Sequence, residues 1–111
     1  MYMEGRHVQQ LCEAAAQLSA PGSVLAVTLV NAAVIRRTQA SGTSSEARKA
    51  WKWGTDEPEA FFLGCGWRAT TVAQPGEPAA NYGRWTQAVV PREPPPGEPV
   101  SRTFYCVCEV A

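Results

Sequence analysis

Seven residues near the start of the chain constrain its fold more than any others. Val24-Leu25-Ala26-Val27-Thr28-Leu29-Val30 is apolar except at Thr28. The run is far too short to span a bilayer, which takes about 20 residues. It also shows no alternation of apolar and polar positions. Ser23 to Val30 therefore predicts a strand covered on both faces, as in the interior of a parallel sheet. A single preceding helix can cover only one of those faces.

Upstream, Arg6 to Leu18 predicts a helix, with Val8, Leu11, Cys12, Ala15 and Leu18 in one apolar stripe. Ser19-Ala20-Pro21-Gly22 ends it, because proline breaks the hydrogen-bond ladder and glycine permits reversal. Asn31 to Arg37 begins a second helix, Gln39 to Ser45 is a polar loop, and Glu46 to Trp53 makes a short helical turn. Thr55-Asp56-Glu57-Pro58-Glu59 is a helix start, where Thr55 or Asp56 can cap free amides and proline fits the first turn. That helix runs to Leu63 and ends at Gly64-Cys65-Gly66.

Trp67 to Ala73 reads as a strand. Gln74 to Val100 holds seven of the nine prolines and reads as a long loop with little regular structure. Arg102 to Val110 is a closing strand rich in aromatic and β-branched residues. The expectation is a single α/β unit over residues 1–111, with three strands and flanking helices.

Ten basic residues balance ten acidic ones, so no net field calls for nucleic acid or an anionic membrane. Met1 to Gly5 leads into an amphipathic stretch and not into a secretory signal, which points to the cytoplasm. In that compartment Cys12, Cys65, Cys106 and Cys108 are expected as buried, reduced thiols.

Other candidate groups each have a structural reading beside the chemical one. Gly64-Cys65-Gly66 is a G-x-G, but it closes a helix where anion binding needs one to open. Cys106 and Cys108 alternate onto one strand face with Phe104 and Val110, in a core position and with no second thiol pair for zinc. His7 is a general base only with a partner at motif spacing, and none is present. Asp56, Glu57 and Glu59 serve either as paired carboxylates or as helix-start acids. Trp51 and Trp53 either stack a ligand or pack on the sheet. Pro91 to Pro99 has the composition of a polyproline ligand or of a plain linker.

The segments taken in order resemble the C-terminal part of class I methyltransferases, and more narrowly the leucine carboxyl methyltransferase-like family. The residues that carry the likeness are Met1-Tyr2-Met3 ahead of the first helix, Leu18-Ser19-Ala20-Pro21-Gly22-Ser23 ahead of the strand, and Trp53-Gly54-Thr55-Asp56-Glu57-Pro58 with Gly66-Trp67. Gln74-Pro75-Gly76-Glu77 and Asn81-Tyr82-Gly83-Arg84-Trp85 complete the set. The resemblance implies a partial Rossmann-like sheet: the last three of seven strands, the final one antiparallel and inserted between the other two. It further implies an S-adenosylmethionine-dependent O-methyltransferase acting on a carboxyl or hydroxyl group of a small-molecule or carboxylate-bearing acceptor.

On the same resemblance, Tyr2, Asn81, Tyr82, Arg84 and Trp85 are the substrate-pocket candidates. The family's glycine-rich cofactor turn and its acidic ribose ligand have no counterpart in this sequence, so the chain is expected as a fragment, inactive alone, with no assignable catalytic residue. The alternative is a non-catalytic protein that associates with a partner, or with itself, through the edge of strand 23–30.

Overall fold

The last segment of the chain forms the middle of its sheet. In the computed structural model, which describes residues 2–40, 50–92 and 100–111, strand β1 (Val24–Val30) and strand β2 (Trp67–Ala73) flank strand β3 (Thr103–Val110) in the order β1-β3-β2. Both outer strands pair antiparallel with β3, with Leu29 opposite Phe104, Val27 opposite Cys106 and Leu25 opposite Cys108. β1 and β2 consequently run in the same direction. This is a small α/β unit with an antiparallel three-stranded sheet.

Residues two apart on a strand share a face, so the register gathers one apolar surface. Phe104 and Cys108 are fully buried and Cys106 nearly so. Helix α1 (Gly5–Leu18) brings Cys12, Ala15 and Ala16 against this surface, and helix α3 (Pro58–Gly64) brings Phe61 and Phe62. The small thiols at 65, 106 and 108 let the helices approach closely while still excluding water. Trp67 is buried in the same cluster and its indole Nε1 donates to the Cys12 carbonyl at 2.9 Å, tying β2 to α1. A bulge between Ala69 and Thr71 frees Thr70, whose hydroxyl donates to the Val107 carbonyl at 3.1 Å.

Only one face of β1 is covered, which corrects the expectation for Ser23 to Val30. Leu25, Val27 and Leu29 point toward the helices, whereas Val24 is 61% exposed and Ala26 and Thr28 are also exposed. Val30, at the end of the strand, is buried, and Gly54 crosses directly over its carbonyl. Among the described residues no layer packs on the second face. The α1 stripe divides likewise: Cys12 and Ala15 pack on the sheet, while Leu11 and Leu18 remain exposed.

Helix α2 (Ala32–Ala40) extends through Gln39, two residues into the predicted polar loop, and the buried Thr38 hydroxyl donates to the Ile35 carbonyl within it. The rest of that loop and residues 46–49 of the predicted helical turn lie outside the described residues. Trp51 to Trp53 are not helical. They lead instead into the crossing at β1, where Thr55 donates its amide to the Val30 carbonyl at 3.0 Å. Within 74–92 a short helix α4 (Pro78–Asn81) interrupts the predicted loop, started by Pro78, whose fixed φ suits a first helical turn. Most of the proline run 91–99 lies outside the described residues.

Asn31 fastens the end of β1. Its Oδ1 accepts from the Val34 amide at 3.2 Å, capping α2, and from the Arg102 amide at 3.0 Å, while its Nδ2 donates to the Val100 carbonyl at 2.7 Å. Asn31 is buried, so truncation leaves these groups unsatisfied. Asn31→Ala is therefore expected to lower the unfolding free energy by about 2–4 kcal/mol, read by urea denaturation. Gly54→Ala should destabilise as well, by about 1–3 kcal/mol, because its Cβ would strike the Val30 and Asn31 carbonyls.

Candidate functional site

β1 and β2 both end at the same edge of the unit, and in open α/β sheets ligands bind beyond the carboxyl ends of such co-directional strands. A cavity of about 300 Å³ with several charged side chains around it lies there. Asn31 supplies its floor directly after β1. Arg36 comes from α2 on the same helical face as Ala33, Asp56 and Glu57 come from the approach to α3, and Arg102 comes from the residue before β3. Arg92 closes one wall, with its guanidinium 5.0 Å from the Phe104 ring centroid.

The electrostatics of this wall are set by one ion pair. Arg92 Nη1 and Nη2 donate to the two Glu59 carboxylate oxygens at 3.1 and 3.2 Å, a bidentate fork. Burial is the largest single influence and would push the Glu59 carboxyl up, but the Arg92 hydrogen bonds, a backbone amide and the Arg92 charge together outweigh it and leave the group below its ordinary value. Those same bonds raise Arg92.

Arg102 is buried and held by the residue that follows β2: its Nη1 donates to Gln74 Oε1 at 2.8 Å. Gln74 in turn donates from Nε2 to Glu77 Oε1 at 3.1 Å and to the Val90 carbonyl at 2.8 Å, which ties the loop after β2 to the sheet.

The residues singled out from sequence are placed in different surroundings. Tyr2 is 56% exposed, meets Trp51 edge to face at 6.3 Å, and lines an apolar groove of about 320 Å³ with Leu11, Leu25 and Val27. That groove runs between α1 and β1, whose outer edge carries no strand among the described residues. Asn81 accepts the Gly76 amide at 2.6 Å, and Tyr82 closes α4 in the left-handed conformation with its side chain exposed. Arg84 is exposed, and Trp85 lies over Gly76 beside a second cavity shared with Gln74 and Val90. Tyr2 and Trp85 thus line separate cavities.

The remaining motifs take packing roles. Gly64-Cys65-Gly66 closes α3, with Gly66 at φ +90° where a side chain would be strained. His7 is exposed in the first turn of α1. The Thr55 hydroxyl accepts the Glu57 amide at 3.1 Å ahead of α3. Trp53 packs against Phe61, with ring centroids 4.7 Å apart. Among the described residues no three His, Cys, Asp or Glu side chains are grouped to hold a metal, and no helix is long and apolar enough to cross a membrane.

Asn31, Arg36, Arg92 and Arg102 were not signalled by any motif. An asparagine directly after a strand does mark a helix cap, but arginines beside a proline-rich loop carry no spacing that reveals a shared cavity. Comparison with protein-family models, with curated proteins and with solved structures found no match to this chain.

The four cysteines are free thiols, three of them buried. Burial, reinforced by neighbouring Cys108, pushes the Cys106 thiol up to about 12, and Cys12, Cys65 and Cys108 are raised by burial too. Cys106 is the sharpest case for linkage. Its folded value exceeds the unfolded value of 9.0, so the folded state holds the proton longer, and its contribution is complete below pH ~9 and lost toward pH ~12. Cys106→Ala should flatten the decline in urea-derived stability across that window, after its own packing loss is subtracted. The native protein should also react with a thiol reagent at pH ~8 far more slowly than the denatured chain.

Proposed function

We propose that this chain forms the C-terminal edge of an S-adenosylmethionine-dependent O-methyltransferase sheet and contributes to the acceptor side of its pocket. The observation that supports this reading most directly is the strand order β1-β3-β2, with the last strand antiparallel between two co-directional ones. It is the order implied for the final three strands of that fold. The open edge of β1 and the apolar groove beside it add support, since a neighbouring strand would pair with the edge and set alternate side chains into the groove. Tyr2, which lines the groove, would then lie at the seam.

The described residues do not fit the cofactor itself. A nucleoside cofactor needs a glycine-rich turn that opens a helix after a strand. Here β1 leads into α2 through Asn31-Ala32-Ala33, and the G-x-G ends a helix. The chain's part is to complete the sheet and to position an acceptor oxygen, so that donor and acceptor, held by different segments, can meet in line.

The same open edge favours a second reading, a non-catalytic protein that pairs β1 with a strand of a partner or of a second copy. Co-expression of the 111-residue chain with the N-terminal half of a leucine carboxyl methyltransferase-like protein separates the two. The methyltransferase reading expects a complex that binds S-adenosylmethionine with a micromolar Kd by calorimetry, while the chain alone gives no binding heat. Micromolar binding by the chain alone, or failure to form that complex, overturns it. A concentration-dependent homodimer in ultracentrifugation, found together with that failure, favours association.

A further inference from the structure

Arg102 is bonded on one side only. It is 8% exposed, its Nη1 reaches Gln74, and its Nη2 is buried without a hydrogen-bond partner. Native proteins rarely leave a buried polar hydrogen unpaired, and an unpaired charged donor is the costliest case. The side chain lines the cavity beyond β1, and its backbone is fixed there by the Asn31 Oδ1 bond at 3.0 Å.

The charges around that cavity balance. Arg92 is matched by Glu59 in the bidentate pair. Arg36, Arg102, Asp56 and Glu57 remain, two cations and two anions, and none of them forms a salt bridge among the described residues. A ligand with net charge would upset that balance, whereas one carrying both signs would answer it. Ala33, Val100 and Phe104 add an apolar wall.

We propose that this cavity binds a small zwitterion of the α-amino-acid class. The Arg102 Nη2 hydrogens donate to the ligand carboxylate, with Arg36 as the second cation, and the ligand ammonium lies toward Asp56 and Glu57. Guanidinium groups recognise carboxylates through paired planar donors, which a lysine cannot reproduce. The cavity volume of about 300 Å³ is at the small end of ligand pockets, in keeping with a single amino acid. The assignment rests on Arg102 and the charge pattern and stands independently of the methyltransferase reading.

The test is an NMR titration of the full chain, following the amides of Asn31, Ala33 and Arg102, with L-valine and its two half-molecules. These are 3-methylbutanoate, which lacks the ammonium, and isobutylamine, which lacks the carboxylate; inorganic phosphate at equal ionic strength is the fourth probe. Saturable shifts with L-valine, at least about tenfold tighter than with either half or with phosphate, are expected. Asp56→Asn should weaken L-valine and leave 3-methylbutanoate unchanged. Arg36→Gln, at an exposed position, should weaken both, and Arg102→Lys should abolish saturation while circular dichroism stays native. Absence of saturable binding, equal binding of 3-methylbutanoate or phosphate, or insensitivity to Arg36→Gln overturns the proposal.

Discussion

Everything in this fold depends on β3 finding its place between β1 and β2. The pairing joins Leu29 to Phe104 and Val72 to Cys106, so the end of the chain must return to strands formed far earlier. Bringing such distant segments together costs loop entropy before any contact rewards it. The return comes from burial, since Phe104, Cys106 and Cys108 occupy the centre of the core and touch what both neighbours and both covering helices supply. Without β3, β1 and β2 would be two unpaired strands running the same way.

That arrangement also decides where chemistry can collect. The two co-directional strands end together, and the segments that leave or enter the sheet there carry Asn31, Gln74 and Arg102. Asn31 and Gln74 are neutral amides, each with donors and an acceptor, and they bind Arg102 through its backbone and its side chain respectively. The result is a buried guanidinium on a rigid frame, beside a cavity whose other walls come from α2 and the approach to α3. At the opposite extreme of polarity, the groove under α1 is apolar and borders the open edge of β1. One small unit therefore has two unlike surfaces, one suited to a polar small molecule and the other to a strand.

Much of the fold was legible in the residues. Helix α1, the two strands 24–30 and 67–73, and the closing strand follow from apolar periodicity, β-branching and the stops at Pro21 and Gly66, all of which act within a few residues. The wrong expectation about β1 has a plain cause. A run such as Val24-Leu25-Ala26-Val27 shows that both faces tolerate apolar surroundings, but not whether anything occupies them. Gln39 reads as loop because it is polar, although helix α2 continues through it on the strength of its buried Ile35 and Thr38. The candidate cavity was least legible. Arg36, Arg92 and Arg102 stand in three unrelated stretches, and nothing local marks an arginine that will be buried.

The sequence by itself determined helix α1, the start and end of helix α3 to within a residue or two, and the three strands, because propensity, periodicity and turn chemistry are set by neighbours along the chain. Tertiary structure alone decided that the last strand would sit in the middle, that one face of β1 would stay open, and that a buried guanidinium would share a cavity with two carboxylates. Those outcomes depend on which distant groups share a low-dielectric interior, where an unpaired donor or an uncovered edge acquires its cost.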